Sequence, residues 1–266
     1  MQETFAPTLL QQKTLRLRKE TGNRSLQSEF YEDTTIWKKL SVSTKRPFIL
    51  ISTQPIVQVL ALYLAYLYGL VYFLSVTFPS LWEKVYGESV GIGGLNYISL
   101  AIGYTAGSQI AAPLNDRMYR KLKIQNSNVG KPEFRAVVMI PASFLVPIGL
   151  LWYGWSAEAR IHWIMPNIGA AILSAGQIVG SQCIQTYIMD AYTKHAASAI
   201  AAIAVLRSLA GFGFPLFAQS MYNALGYGWG NTLLAFVAIG LGIPAPLLLW
   251  KYGERLRARS TFAAGG

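Results

Sequence analysis

At 266 residues with 13% charged, 53% hydrophobic and a mean hydropathy of +0.34, the chain does not suit a soluble domain, where about a quarter of residues are charged. Its net charge of +11 could suit a nucleic-acid binder, but no zinc-ligand spacing or base-stacking module accompanies it. One cysteine, Cys183, excludes an intramolecular disulfide.

Residues 1–46 carry nine Lys or Arg and read as a cytoplasmic segment. The apolar stretch Phe5–Leu10 is too short for a signal peptide and runs into Lys13, Arg16, Arg18 and Lys19. The sequon Asn23–Ser25 lies on this side and is expected to stay unmodified. Six apolar runs follow, roughly Pro47–Phe78, Ile92–Leu114, Ala136–Trp155, Trp163–Met189, Ala196–Tyr222 and Thr232–Trp250. Each has the length of a transmembrane helix, about 20 residues, and helices are expected because backbone in lipid must pair within its own segment. The first is long enough to include a segment along the interface. Prolines such as Pro55, Pro141, Pro147 and Pro215 are tolerated in such helices as kinks. Residues 251–266 form a tail. The fold class is therefore all-α integral membrane, with six transmembrane helices in residues 47–250.

Twenty of the 23 Lys and Arg fall on one side of these spans, in residues 1–46, 115–135, at Lys194 and from Lys251 onward. Only Lys84 and Arg160 fall on the other, and Arg207 lies within the fifth span. The positive-inside rule puts both termini in the cytoplasm. Trp82, Trp152, Trp155, Trp163, Tyr227 and Trp229 mark the opposite ends, where an aromatic belt is expected. The basic balance thus follows topology and implies contact with membrane lipid, not nucleic acid.

The spans differ in polarity. The third and sixth are almost purely apolar, whereas the fourth carries Asn167, Ser174 and Ser181 at i, i+7, i+14, with Gln177 and Gln185 near the same face and Gln182 beside it. A polar stripe in a membrane helix faces protein or water. The first span adds Gln58, Tyr63 and Tyr66, the second Asn96, Tyr104 and Gln109, and the fifth Arg207, about 15 Å deep at helical rise. Gln58, Tyr66, Asn96, Tyr104, Asn167, Ser174, Gln177, Ser181, Gln185 and Arg207 are the expected substrate-cavity residues. Glutamines and serines can also simply bond across helices, and Gly93, Gly94, Gly103 and Gly107 read first as close helix packing. Asp190 reads as interfacial and structural. His162 and His195 have no metal-ligand spacing around them, and no metal or cofactor is expected. Enzymatic motifs are missing: "GKPEF" at Gly130 lacks both the upstream glycine and the following Ser or Thr of a phosphate loop. Any transport is then driven by a gradient or runs downhill.

The segment "LNDRMYRK", Leu114–Lys121, resembles the D-R-x-G-R-[RK] loop of the major facilitator superfamily, in its copy between the eighth and ninth helices. Asp116, Arg117, Arg120 and Lys121 match as a gating loop, while Tyr119 replaces the glycine. "GKPEFR", "FPLFAQSMYNALGYGWGNTLLAF" and "GIPAPLLLWKYGERLRARS" resemble the second half of fungal twelve-span drug:proton antiporters. The likeness runs from Glu3 to Ser260. It implies one six-helix bundle, residues 1–46 as the inter-bundle linker, and helices seven, eight, ten and eleven lining the cavity while nine and twelve pack outside. Polarity divides the spans the same way. Asp116 would cap or pair near a neighbouring helix terminus, with Arg117 and Arg120 making charge-assisted bonds at the cytoplasmic mouth.

The resemblance implies secondary, proton-coupled export of small organic compounds or drugs, joined to an N-terminal six-helix bundle or another chain supplying it. Proton coupling in the family sits mainly in that other bundle, and Met1 is expected to be an artificial start. The membrane implied is the plasma membrane, with the vacuolar membrane as the alternative. The competing function is a truncated, non-transporting bundle acting as scaffold or partner, or a non-functional fragment.

Overall fold

A computed structural model describes residues 6–23, 25–27, 36–258, 260 and 262–263. The chain divides into two compact units, Met1–Lys45 and Arg46–Gly266. In the first, α1 (Ala6–Thr21) stops at Gly22, whose φ of 68° is a left-handed conformation that glycine adopts without penalty. The Arg18 Nε donates to the Leu26 carbonyl at 2.6 Å and holds the turn beyond it. Helix α2 (Ile36–Thr53) begins in this unit and ends in the second.

At Gln54 the backbone is extended, with φ −106° and ψ 105°. The cause is Pro55, which disfavours helical geometry at the residue before it and has no N–H of its own. The expected first span is therefore two helices, and the long apolar one is α3 (Pro55–Lys84). Short helix α4 (Val90–Leu95) is capped by Ser89, whose hydroxyl accepts from Ile92 N. Helix α5 (Tyr97–Gln125) follows after Asn96 and continues unbroken through the expected gating loop. Next come α6 (Ala136–Glu158), entered by a 3-10 turn at Pro132–Arg135, then α7 (Ile164–Ala191), α8 (Ala196–Gly242) and α9 (Pro244–Ala258).

Helix α8 joins what the sequence suggests are two spans. A single residue, Gly226 (φ 73°, ψ 175°), interrupts it, in a region essentially closed to other residues. The helix beyond the break starts with donors, and Glu158 at the end of α6 satisfies them. Its Oε2 accepts from Tyr227 N at 2.8 Å and Gly228 N at 3.2 Å. A carboxylate at a helix N-terminus is favourable both as a cap and against the helix dipole. Trp155 Nε1 adds a bond to Thr232 Oγ1 at 3.1 Å. The expected loop of residues 223–231 is thus replaced by one glycine and a borrowed cap.

Among the described residues, four stretches are long and apolar enough to cross a membrane: Pro55–Lys84, Pro132–Glu158, Ile164–Ala191 and Thr193–Ala258. The last has 66 residues, far more than one crossing needs, and contains the Gly226 break. Helix α5 is long enough but is not among them, because its Asn, Tyr, Ser, Gln and charged residues dilute its apolar character.

In the second unit α7 packs between α5 and α6, and α8 packs between α6 and α3. Glycines set the closest seams. A Cβ on Gly149 of α6 would lie 2.5 Å from Leu173 N of α7, and one on Gly103 of α5 would lie 2.2 Å from the Ala171 carbonyl. Backbones can approach that closely only without side chains, which is how helices gain van der Waals contact in lipid. Gly107 packs likewise, whereas Gly94 faces open space. The interior is aromatic-rich: Phe73, Phe78, Trp82, Tyr153 and Tyr187 are buried.

Candidate functional site

Helices α5 and α7 run parallel, and their polar side chains meet at successive levels. Asn167 Nδ2 donates to Asn96 Oδ1 at 2.6 Å, Gln182 Nε2 to Ser108 Oγ at 3.0 Å, and Asn115 Nδ2 to Thr186 Oγ1 at 3.2 Å. Between these rungs, Tyr104 lies against the Gln177 amide. Bonds of this kind contribute roughly 0.6–2 kcal/mol each between membrane helices. The seam therefore has a polar ladder where lipid would leave such groups unpaired.

Two recesses open along it. The inner one is a narrow cleft where Tyr104, Ser174 and Gln177 meet Leu70, Val71 and Leu173. Gln177 is 1% exposed, and its Oε1 accepts no hydrogen bond among the described residues. Its Nε2 donates to Ser181 Oγ at 3.3 Å. Arg207 of α8 lies over the Tyr68 ring of α3 at 4.6 Å, with Nη1 3.4 Å from the hydroxyl. The outer recess is a pocket of about 500 Å³ at the start of α5 and α7, containing Asn96 and Asn167.

A charged cluster closes the other end of the seam. Arg135, just before α6, donates through Nη1 to Asp116 of α5 at 2.7 Å and through Nε to Asp190 of α7 at 3.0 Å. One guanidinium thus ties three helices together, and its carbon sits 4.4 Å above the Tyr119 ring. The tyrosine that replaces the glycine of the resembled motif is the platform for that cation. A second cluster joins Glu133 to Arg257 of α9 through two bonds, Nε–Oε1 at 2.8 Å and Nη2–Oε2 at 3.0 Å.

The expected cavity residues are thus divided. Tyr104, Ser174 and Gln177 come together in the inner cleft, and Asn96 with Asn167 in the outer pocket. Tyr66 does not join either. It is 4% exposed, its hydroxyl donates to the Leu234 carbonyl of α8, and its ring packs against Phe214. Gln58 is exposed and donates to the Ser52 carbonyl, bridging the α2–α3 break. Ser181 is fully buried and bonds back to the Gln177 carbonyl of its own helix. Ser174 also bonds within its helix, to the Ala170 carbonyl. Gln185 is half-buried on α7. The gating residues are helical, not a loop, and Arg117, Arg120 and Lys121 are exposed while Asp116 pairs with Arg135. Sequence reasoning missed Ser108, Asn115, Thr186, Arg135 and Glu133. Each is an ordinary residue in sequence, and only the partner across the seam marks it.

Residues 12–215 match the Major Facilitator Superfamily. The chain is 52% identical over its whole length to the efflux pump vrtL of Penicillium aethiopicum, covering 52% of that protein. It is 45% identical over 98% of its length to the MFS-type transporter oryF of Aspergillus oryzae, covering 54% of it. To a probable efflux pump of Aspergillus flavus it is 42% identical over 97% of its length, covering 62%. The chain therefore spans about half the length of the curated relatives it matches. No solved structure matches it.

Proposed function

The chain belongs to the Major Facilitator Superfamily, and from that premise we propose that it forms one half of a secondary exporter of small organic compounds. The observation that carries the reading is its end-to-end alignment with about half of each efflux protein. The polar seam supports it, because buried amides and hydroxyls in a membrane bundle mark a path for polar solutes. In this account six helices cross the membrane: α3, α5, α6, α7 and the two arms of the Thr193–Ala258 stretch, with both ends cytoplasmic. A complementary six-helix bundle completes the cavity, and export draws on a proton gradient across the plasma membrane.

The inner cleft of Tyr104, Ser174 and Gln177, together with the Arg207–Tyr68 pair, is the part of the path supplied here. Substrate would bind near the midplane, where the two halves of such transporters meet. Arg135 would hold the cytoplasmic ends of α5, α6 and α7 together in one state and release them in the other. Asp116 is largely exposed, so that bond can be exchanged at small cost. Glu133 and Arg257 form a pair with little exposure and are assigned no part in this exchange. The aligned efflux pumps favour this function over a non-transporting scaffold.

Topology tests the reading. The native Cys183 is buried, so single cysteines elsewhere report their side with an impermeant maleimide. Lys84→Cys and Ala159→Cys are expected to label from outside intact cells, and Gln125→Cys and Lys194→Cys only after permeabilisation. Labelling of all four from one side would contradict the six-span arrangement.

A further inference from the structure

The outer pocket carries a chemistry of its own. Its polar wall is formed by Glu88, Asn96, Asn167 and Ser99, whose hydroxyl is taken up by the Asn96 carbonyl, and its apolar walls by Ile92, Leu95 and Trp163 among others. Among the described residues no Lys or Arg lines it, in a chain whose net charge is +11.

Glu88, Asn96 and Asn167 form a chain whose direction is dictated by the carboxylate. An ionised carboxylate only accepts hydrogen bonds, so Asn96 must offer its NH2 to Glu88 Oε2, at 2.7 Å. Asn96 Oδ1 is then turned to Asn167, which gives its own NH2 at 2.6 Å. That NH2 also donates to the Trp163 carbonyl at 3.1 Å. Asn167 Oδ1 is what remains. It is buried and accepts nothing among the described residues, in a side chain whose residue is only 8% exposed. A buried acceptor without a donor is unfavourable, so the chain leaves a specific demand unmet. What it lacks is a donor, and the nearby charge makes a cationic donor the favourable one.

We propose that this pocket binds the ammonium group of an amphipathic amine, with N–H donors to Asn167 Oδ1 and the Glu88 carboxylate and an apolar body against Trp163 and Ile92. Asn167 and Gln177 are ten residues apart on α7, so about 15 Å separates this site from the inner cleft. It is a second station on the same seam and names amines as a class of cargo. Only that place in the path rests on the export reading; the binding itself does not.

The test uses the full chain in phosphatidylcholine nanodiscs and equilibrium dialysis with three probes. These are 1-naphthylmethylamine, its trimethylammonium analogue and 1-naphthylmethanol. The amine supplies charge and N–H donors, the analogue charge alone, and the alcohol neither charge nor N–H. The amine is expected to bind at least tenfold tighter than the alcohol, with the analogue between them. Glu88→Gln and Asn167→Leu should each remove that preference and retain the weak binding of the alcohol, which reports intact apolar walls. Should Asn167→Leu lose the alcohol too, Glu88→Gln decides, since it changes almost no volume. Equal binding of amine and alcohol, or a preference that survives Glu88→Gln, overturns the proposal. An ammonium can also come from a lipid headgroup. Weaker amine binding in phosphatidylethanolamine discs assigns the resident ammonium to lipid, and unchanged binding assigns it to free compounds. Loss of export in cells with intact amine binding would count against the transport reading alone.

Discussion

Arg257→Met is expected to lower the stability of the folded chain by about 3–5 kcal/mol, the cost of breaking a buried ion pair by removing one partner. The Arg257 side chain is 12% exposed and that of Glu133 6%, and the two meet through two parallel bonds. This pair fastens α9 to the turn that starts α6. Methionine fills much of the volume but leaves the Glu133 carboxylate buried without the guanidinium. Packing there is too close for repair by movement, because a Cβ on Gly253 of α9 would lie 2.9 Å from Glu133 Cγ. The neighbouring Lys131–Glu254 pair, with Glu254 65% exposed, adds little, as exposed pairs do. Thermal unfolding in detergent measures the loss. The double variant Glu133→Leu, Arg257→Met should recover most of it, since replacing both partners by apolar groups is often nearly neutral. A melting temperature unchanged in Arg257→Met would show that the pair contributes nothing.

Gln177→Leu is expected to reduce export at least tenfold in cells that also express the complementary bundle, with the amount of protein at the membrane unchanged. Leucine keeps the volume of glutamine, so packing around α7 survives. What disappears is the amide that faces Tyr104 and carries a buried acceptor, Oε1, without a donor among the described residues. A buried polar group held unsatisfied is costly, and a substrate donor would relieve it. Ser143→Ala is the comparison. Ser143 is buried on α6 and bonds back to the Ile140 carbonyl of its own helix, so its loss should change export less than twofold. Equal effects of the two changes, measured as efflux of a fluorescent amine from loaded cells, would remove Gln177 from the path.

Much of the fold was legible because charge is absent from long stretches. Helices α3, α6 and α7 follow directly from apolar runs bounded by Lys84, Arg135, Glu158 and Asp190. The Gly226 break was not legible as a single residue, because what makes it possible is Glu158, 68 positions earlier, reaching over to cap Tyr227 and Gly228. Nor was the length of α5, since a cationic end reads as a loop although Arg and Lys are good helix formers.

The site divides in the same way. Of the stripe on α7, Asn167 meets Asn96 and Gln182 beside it meets Ser108, while Ser174 and Ser181 bond back within α7. Its partners Ser108 and Asn115 on α5 could not be read, because a helix with polar residues on several faces does not say which one meets its neighbour. Tyr66 misleads for a related reason: an aromatic with a hydroxyl suits a ligand wall and a buried bond to the Leu234 carbonyl equally well. The Glu88 relay escaped because its acid lies outside the spans, eight residues before Asn96.

The central claim is that this chain and a complementary six-helix bundle form one exporter. The direct measurement is efflux of a fluorescent amphipathic amine from cells expressing this chain, the complementary bundle, or both. Efflux with both and background efflux with either alone is the predicted result. Efflux by this chain alone at the rate of the pair, or none with both present and at the membrane, would contradict it.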